Sequence, residues 1–247
     1  MTHALSLSFE PGAVLATLPL APGHTLGISL SAAGGVGLAT PGARQAAGRV
    51  YAVHQVHSKR IVVVEGQEPQ SFTAQDADGM VTALPDAVLT VTVADCLPIF
   101  LVDRATGAFG LVHSGWKGTG IVVEAIRTMA KAFGTRAGNL AAAIGPGIGA
   151  CCYTVPRDRH EAFRAEFGEQ AAPRGANGDF RLDLRAANVR LLEAAGVRSI
   201  VVTTDCTCCS TVLGSFRRDG PGFHRMLAFI GRAEALGGRA AGVPAGM

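Results

Sequence analysis

At 247 residues, with 48% apolar and 17% charged side chains, the chain can bury a sizeable core and is too apolar to be disordered over most of its length. A net charge of +3, without any Lys/Arg-rich run interleaved with aromatics, excludes nucleic acid as an expected partner. The first residues lack a basic segment ahead of an apolar core, and no stretch is long enough to span a membrane, so a cytoplasmic protein is expected.

In chain order, residues 1–49 read as short strands and loops, with 31–48 a weakly structured connection. "RVYAVHQVHS" and "KRIVVVEG" read as two strand segments around a polar break, and "QDADGMVTALPDAV" as turn and loop. "VLTVTVADCLPIFLVD" is a long β-rich run broken at "ADC", and "GAFGLVHSGWKGT" is a strand and turn. "GIVVEAIRTMAKAFG" has helical amphipathicity ending at Gly134. "NLAAAIGPGIGACCYTV" is a strand entering a Gly/Pro turn. A helix follows from Pro156 to Gly168, another starts near Asp183, and "SIVVTTDC" is a strand. The tail from about 238 to 247 is expected to fray. Strands and helices mix without a regular βαβ period and without a linker or repeat. That predicts one domain of α+β class with mixed sheets, not a doubly wound parallel fold.

Three metal-ligating side chains stand near predicted strand ends: His57 in "HQVHS", Cys96 in "VADCLP" and His113 in "LVHSGW". If those strands are neighbours, the three converge. Two imidazoles and a thiolate make a three-ligand zinc site with a fourth position open. Cys96 as a nucleophile beside a His base is the other chemistry this trio allows. Asp95, next to Cys96 in an apolar run, needs a partner, because a buried carboxylate is costly alone. Gly115 and Gly118 flank the single tryptophan, Trp116, and suggest close backbone approach there. Trp116 either shapes a flat pocket or fills the core.

Asp76 and Asp78 lie on a predicted loop, where one carboxylate is placed to orient a ligand His. The glycines of "AIGPGIGACCYTV" match neither a dinucleotide nor a Walker loop. The six cysteines are Cys96, Cys151, Cys152, Cys206, Cys208 and Cys209. Their adjacent pairs suit disulfides poorly, so reduced thiols, some of them metal ligands, are expected. "DCTCCS" resembles a metal knuckle, but no matching pair follows it at zinc-finger spacing, which favours plain thiols. "SFRRDG" places Arg217 and Arg218 after a strand on opposite faces, so at most one of them faces a pocket, where it suits an anionic group.

"QVHS", "DADGMVT", "VADCLPIFL", "GLVHSGWKGT", "AIGPGIGACCYTV" and "SFRRDG" occur in one order. From about residue 50 to 232 the chain resembles the family labelled multicopper polyphenol oxidase or laccase-domain proteins. Members of that family are described as zinc-dependent purine nucleoside phosphorylases with adenosine deaminase side activity. The resemblance implies a four-layer α/β/β/α sandwich of two mixed sheets flanked by helices. It implies zinc, with copper as the alternative, on His57, Cys96 and His113; His54 is a rival ligand within "HQVHS". His57, Cys96, His113 and Asp78 are then the catalytic candidates, and Trp116, Lys117, Arg217 and Arg225 the substrate-binding ones. The implied substrates are adenosine, inosine and methylthioadenosine, with phosphate. Two departures stand out: the polar helix with an Asn–Arg pair ahead of "HQVHS" is missing, and the family's "GR" reads "FHR", with His224 before Arg225. The rival functions are a copper-dependent polyphenol oxidase, a Cys-nucleophile amidase acting on a cell-wall precursor, and a non-enzymatic metal-binding module.

Overall fold

The computed structural model describes residues 2–5, 15–17, 20–29 and 48–236. Most of the predicted connection at 31–48, residues 6–14 and the C-terminal tail from 237 lie outside the described residues. The strands are β1 (Thr2–Leu5), β2 (Leu15–Thr17), β3 (His24–Ser29), β4 (Arg49–Tyr51), β5 (Ile61–Val64), β6 (Gly79–Thr82), β7 (Ala87–Val93), β8 (Leu97–Asp103), β9 (Phe109–Ser114), β10 (Leu140–Ile144), β11 (Ser199–Thr203) and β12 (Met226–Arg232). The described α-helices are α1 (Ile121–Phe133), α2 (Arg157–Phe167), α3 (Leu184–Ala194) and α4 (Phe216–Asp219).

The strands form two mixed sheets. A seven-stranded sheet runs β1-β11-β10-β8-β9-β6-β5, and a five-stranded sheet runs β2-β3-β12-β7-β4. Parallel and antiparallel pairs occur in both. The expected α+β class with mixed sheets is what forms.

Period-2 alternation along β8 explains the layering. Leu97, Ile99 and Leu101 join a cluster with Ile121 and Met129 of α1, Phe163 of α2 and Leu184 of α3. Phe100 and Val102 point the other way, into a second cluster with Leu89 and Val91 of β7 and Met226 and Ile230 of β12. Helices therefore cover one face of the seven-stranded sheet, and the five-stranded sheet covers the other. Helix α1 buries Ile121, Val122, Ala125, Ile126 and Met129, a stripe at helical spacing. Gly134 ends it with a left-handed φ of 67° while its N–H caps the carbonyls of Met129 and Ala130.

The "loop" at 75–88 contains β6, whose four residues are all buried. Its leading glycine is a packing residue, since a Cβ on Gly79 would meet Ile61 and Val112 side chains at 2.6 and 2.7 Å. Arg217 and Arg218 do not extend a strand but form part of α4, started by the Ser215 side chain accepting from the Arg218 N–H.

The run read as one interrupted strand is split between the sheets. β7 belongs to the five-stranded sheet and β8 to the seven-stranded one, so the chain crosses between layers at residues 94–96. Asp95 turns the corner with φ 85°, in the left-handed region.

Candidate metal centre

The crossing delivers Cys96 to the start of β8. His113 lies opposite on β9, where its register partner is Pro98. His57 is not at a strand end. It sits in the loop between β4 and β5, in a left-handed conformation with φ 59°. One ligand atom from each of His57, Cys96 and His113 lies within 4.8 Å of the other two. Donors on a single tetrahedral zinc are about 3.5–4 Å apart, so these three need little movement to share an ion.

The polar residues of "HQVHS" are spent holding that loop. Gln55 exchanges hydrogen bonds with the Thr92 backbone at 2.8 and 2.9 Å. Asp78 accepts the backbone N–H groups of Val56, His57 and Ser58, and the Ser58 hydroxyl as well. His54 turns away to an exposed contact with Asp76 at 2.8 Å. The rival histidine is therefore apart from Cys96 and His113, and the loop presents His57.

Asp78 is fully buried, and its Oδ1 lies 2.8 Å from His113 Nδ1. Burial alone would raise its pKa. The His113 and Ser58 hydrogen bonds outweigh that and hold the carboxyl at about 2. Burial likewise pushes His113 down, but Asp78 and Cys96 raise it to about 9. Burial pushes the Cys96 thiol up, and His113 and His57 bring it down to about 7. Cys96 and His113 thus pair as thiolate and imidazolium, from which a divalent cation would displace protons.

Gly115 supplies the room. A Cβ there would stand 2.7 Å from Cys96 Sγ and 3.5 Å from the His57 ring. Burial grades from His113 (buried) through Cys96 to His57 (exposed), so the centre opens to solvent on the His57 side.

Asp95 finds its partners among neutral donors. Thr207 and Ser215 hydroxyls donate to Oδ1 at 2.6 and 2.7 Å, and the Arg217 N–H donates to Oδ2 at 2.7 Å. This ties α4 to the residue preceding Cys96. The Arg217 guanidinium bonds the carbonyls of Cys152 and Thr154 and lies 5.3 Å from the Tyr153 ring. Trp116 packs on the core cluster with the Arg159 guanidinium 4.2 Å from its ring centre. Lys117 is exposed. Arg225 is exposed too, with its guanidinium 5.2 Å from the ring of Phe223.

Tyr153 and Arg159 were not singled out from the sequence. Tyr153 feels the charges of Cys96, Asp95, Arg159 and Arg217, and burial foremost raises its phenol to about 12, so it stays a hydrogen-bond donor at neutral pH. The signal available was "CCYTV" within the glycine-rich turn, one of only two tyrosines in the chain.

Residues 39–233 match the sequence family described as multi-copper polyphenol oxidoreductase laccase. A purine nucleoside phosphorylase of Deinococcus radiodurans is 38% identical over 192 residues, covering 76% of this chain and 73% of the relative. A protein named adenosine deaminase, from an unknown prokaryotic organism, is 35% identical over 179 residues, covering 67% of this chain and 68% of its own. The crystal structure of YlmD from Geobacillus stearothermophilus superposes with a TM-score of 0.79 at 30% identity, over 92% of this chain and 98% of that one.

Proposed function

The chain belongs to the multi-copper polyphenol oxidoreductase laccase family, and we propose that it is a zinc-dependent purine nucleoside phosphorylase working at His57, Cys96 and His113. Its relatives named purine nucleoside phosphorylase support an enzyme of purine metabolism. The observation that carries the reading is the meeting of two imidazoles and one thiol beside a buried carboxylate, open on one side.

In the reaction, a phosphate oxygen forms a bond to the ribose anomeric carbon as the glycosidic bond to the purine breaks. Ribose 1-phosphate and free base result. Positive charge builds on the sugar, and the departing base needs a proton or a polarising contact. Zinc on the three side chains would supply Lewis acidity in the site's open position. Asp78 holds the His113 ring by its Nδ1 and fixes the His57 loop. Tyr153 offers a neutral O–H to the substrate. Arg217 and Arg159, both within electrostatic reach of Tyr153, are the cations best placed to receive phosphate. Lys117 and Arg225 remain candidates at the rim. Trp116 serves by fixing Arg159 beneath its ring.

Adenosine, inosine and methylthioadenosine are the proposed substrates. Adenosine deamination is the second reading, favoured by the relative that bears that name. It would place water at the purine C6 instead of phosphate at the sugar. The copper oxidase reading is weaker on donor grounds. All seven histidines lie among the described residues, and only His57 and His113 belong to a cluster of metal-ligating side chains. A Cys-nucleophile amidase would use the same low-pKa Cys96, and there zinc would inhibit instead of activate. The resemblance also supports a helical layer outside the five-stranded sheet, completing an α/β/β/α sandwich. Six free thiols fit the cytoplasm.

The test is a nucleoside panel assayed with and without phosphate, on chelated and zinc-restored protein. Phosphate-dependent release of base, lost on chelation and recovered with zinc, is expected. Turnover indifferent to zinc would defeat the reading.

A further inference from the structure

A second set of soft ligands lies apart from the His57–Cys96–His113 centre. One ligand atom from each of Cys151, Cys152, Cys206 and Cys209 falls within 4.8 Å of the other three. The sequence hides the set, because the partners of "DCTCC" lie upstream and not downstream. β10 and β11 are parallel neighbours, so the turns after their C-terminal ends emerge side by side. A bridge between Gly147 and Cys206, with the Thr207 N–H donating to the Gly147 carbonyl at 3.1 Å, joins those turns.

We propose that these four cysteines form a second, structural metal site, closed by four thiolates and selective for zinc or a like soft cation. The spacing of Cys206 and Cys209 is that of a zinc knuckle, two residues between ligands. Cys209 Sγ lies 3.3 Å from Cys152 Sγ and 3.7 Å from Cys151 Sγ. A disulfide would need about 2.05 Å. Four sulfurs at about 2.3 Å from one ion stand about 3.8 Å apart in a tetrahedron, close to what is seen.

Backbone and side-chain donors surround the four sulfurs. The Gly149 N–H points at Cys206 Sγ at 3.2 Å, a hydrogen bond that stabilises a coordinated sulfur. A Cβ on Gly149 would stand 3.0 Å from Cys151 Sγ and 3.2 Å from Cys206 Cβ, so the two turns pack tightly there. The guanidinium of Arg185 crosses beneath, bonded to the carbonyls of Gly147 and Asp205, and offsets the negative charge of a four-thiolate complex. Arg181 and Arg217 hold the carbonyls of Cys151 and Cys152. Cys208 is outside the set.

Four protein ligands leave no open position, which makes the site structural. Its effect would reach the first centre through Asp95. Thr207, between Cys206 and Cys209, donates to that carboxylate, as do Ser215 and the Arg217 N–H beyond them. An ion there pins both turns and holds the grip on the residue preceding Cys96.

The experiment counts zinc in full-length protein purified without chelator. The wild type is expected to carry about two zinc per chain, and a Cys96→Ala/His113→Ala variant about one. Cobalt(II) added to that variant should give intense thiolate-to-metal charge transfer, which the further changes Cys206→Ser and Cys209→Ser remove. This readout is independent of nucleoside turnover, so the second site can stand if the proposed activity fails. A Cys96→Ala/His113→Ala protein that binds neither zinc nor cobalt would overturn the inference. So would a Cys152–Cys209 or Cys151–Cys209 disulfide found by non-reducing mass spectrometry of the isolated wild type. The first-centre variant keeps the test decisive even where the Cys206→Ser/Cys209→Ser protein does not fold.

Discussion

Asp78 Oδ1 stands 2.8 Å from His113 Nδ1, and this one contact decides which nitrogen of His113 faces Cys96. With Nδ1 committed, Nε2 is left for a metal. The same carboxylate takes three backbone N–H groups of the His57 loop, so it orients two ligands at once.

Asp78→Asn is therefore expected to lower zinc affinity at the first centre by about 10–100-fold. The amide keeps one acceptor but turns an N–H₂ group toward donors. Chelator competition on the folded variant measures this. Unchanged affinity would show that the carboxylate does not orient the ligands.

Cys96→Ala should remove the first metal and all nucleoside turnover, because two histidines alone hold zinc weakly. Cys208→Ala should keep both metal and activity, since its side chain belongs to neither ligand set. Metal content and inosine turnover on the two variants check this together. A Cys96→Ala protein with full metal and full activity would remove Cys96 from the centre.

Gly115→Ala is predicted to lose activity while remaining folded. Its new methyl would lie 2.7 Å from Cys96 Sγ, so the thiol or the turn must shift. The loss should appear as weaker metal retention, with a thermal transition lowered by only a few degrees, corresponding to about 1 kcal/mol. Wild-type metal affinity in this variant would show that the turn has slack.

The pairing of these residues was only partly legible. "VLTVTVADCLPIFLVD" reads as one long β-rich run interrupted at "ADC". Nothing local said that β7 and β8 would enter different sheets, because sheet membership is fixed by distant partners such as β12 and β10. His57, Cys96 and His113 stood out by residue type and by the motifs around them. The four-cysteine set did not, because Cys152 and Cys209 are 57 residues apart and only the β10–β11 pairing joins them. Arg217 was misplaced on a strand since a four-residue helix carries no readable period.

Zinc uptake at the His57–Cys96–His113 centre, measured in Cys206→Ser/Cys209→Ser protein freed of metal, should release protons in a pH-dependent way. Below about 7 both Cys96 and His113 are protonated, so binding expels about two protons from this pair. Between about 7 and 9 only His113 still carries its extra proton, and about one is released. Apparent affinity thus falls as pH drops. Calorimetry in buffers of differing ionisation enthalpy counts these protons; a release independent of pH would contradict the assigned thiolate–imidazolium set.

The proposed function rests on phosphate attacking the sugar of a purine nucleoside at the His57–Cys96–His113 centre. Phosphorus NMR of inosine mixed with phosphate and zinc-loaded protein tests it most directly. A growing ribose 1-phosphate signal matched mole for mole by hypoxanthine is expected, and no such signal with Cys96→Ala. Free ribose formed equally well in phosphate-free buffer, or a ribose 1-phosphate signal undiminished in Cys96→Ala, would contradict it.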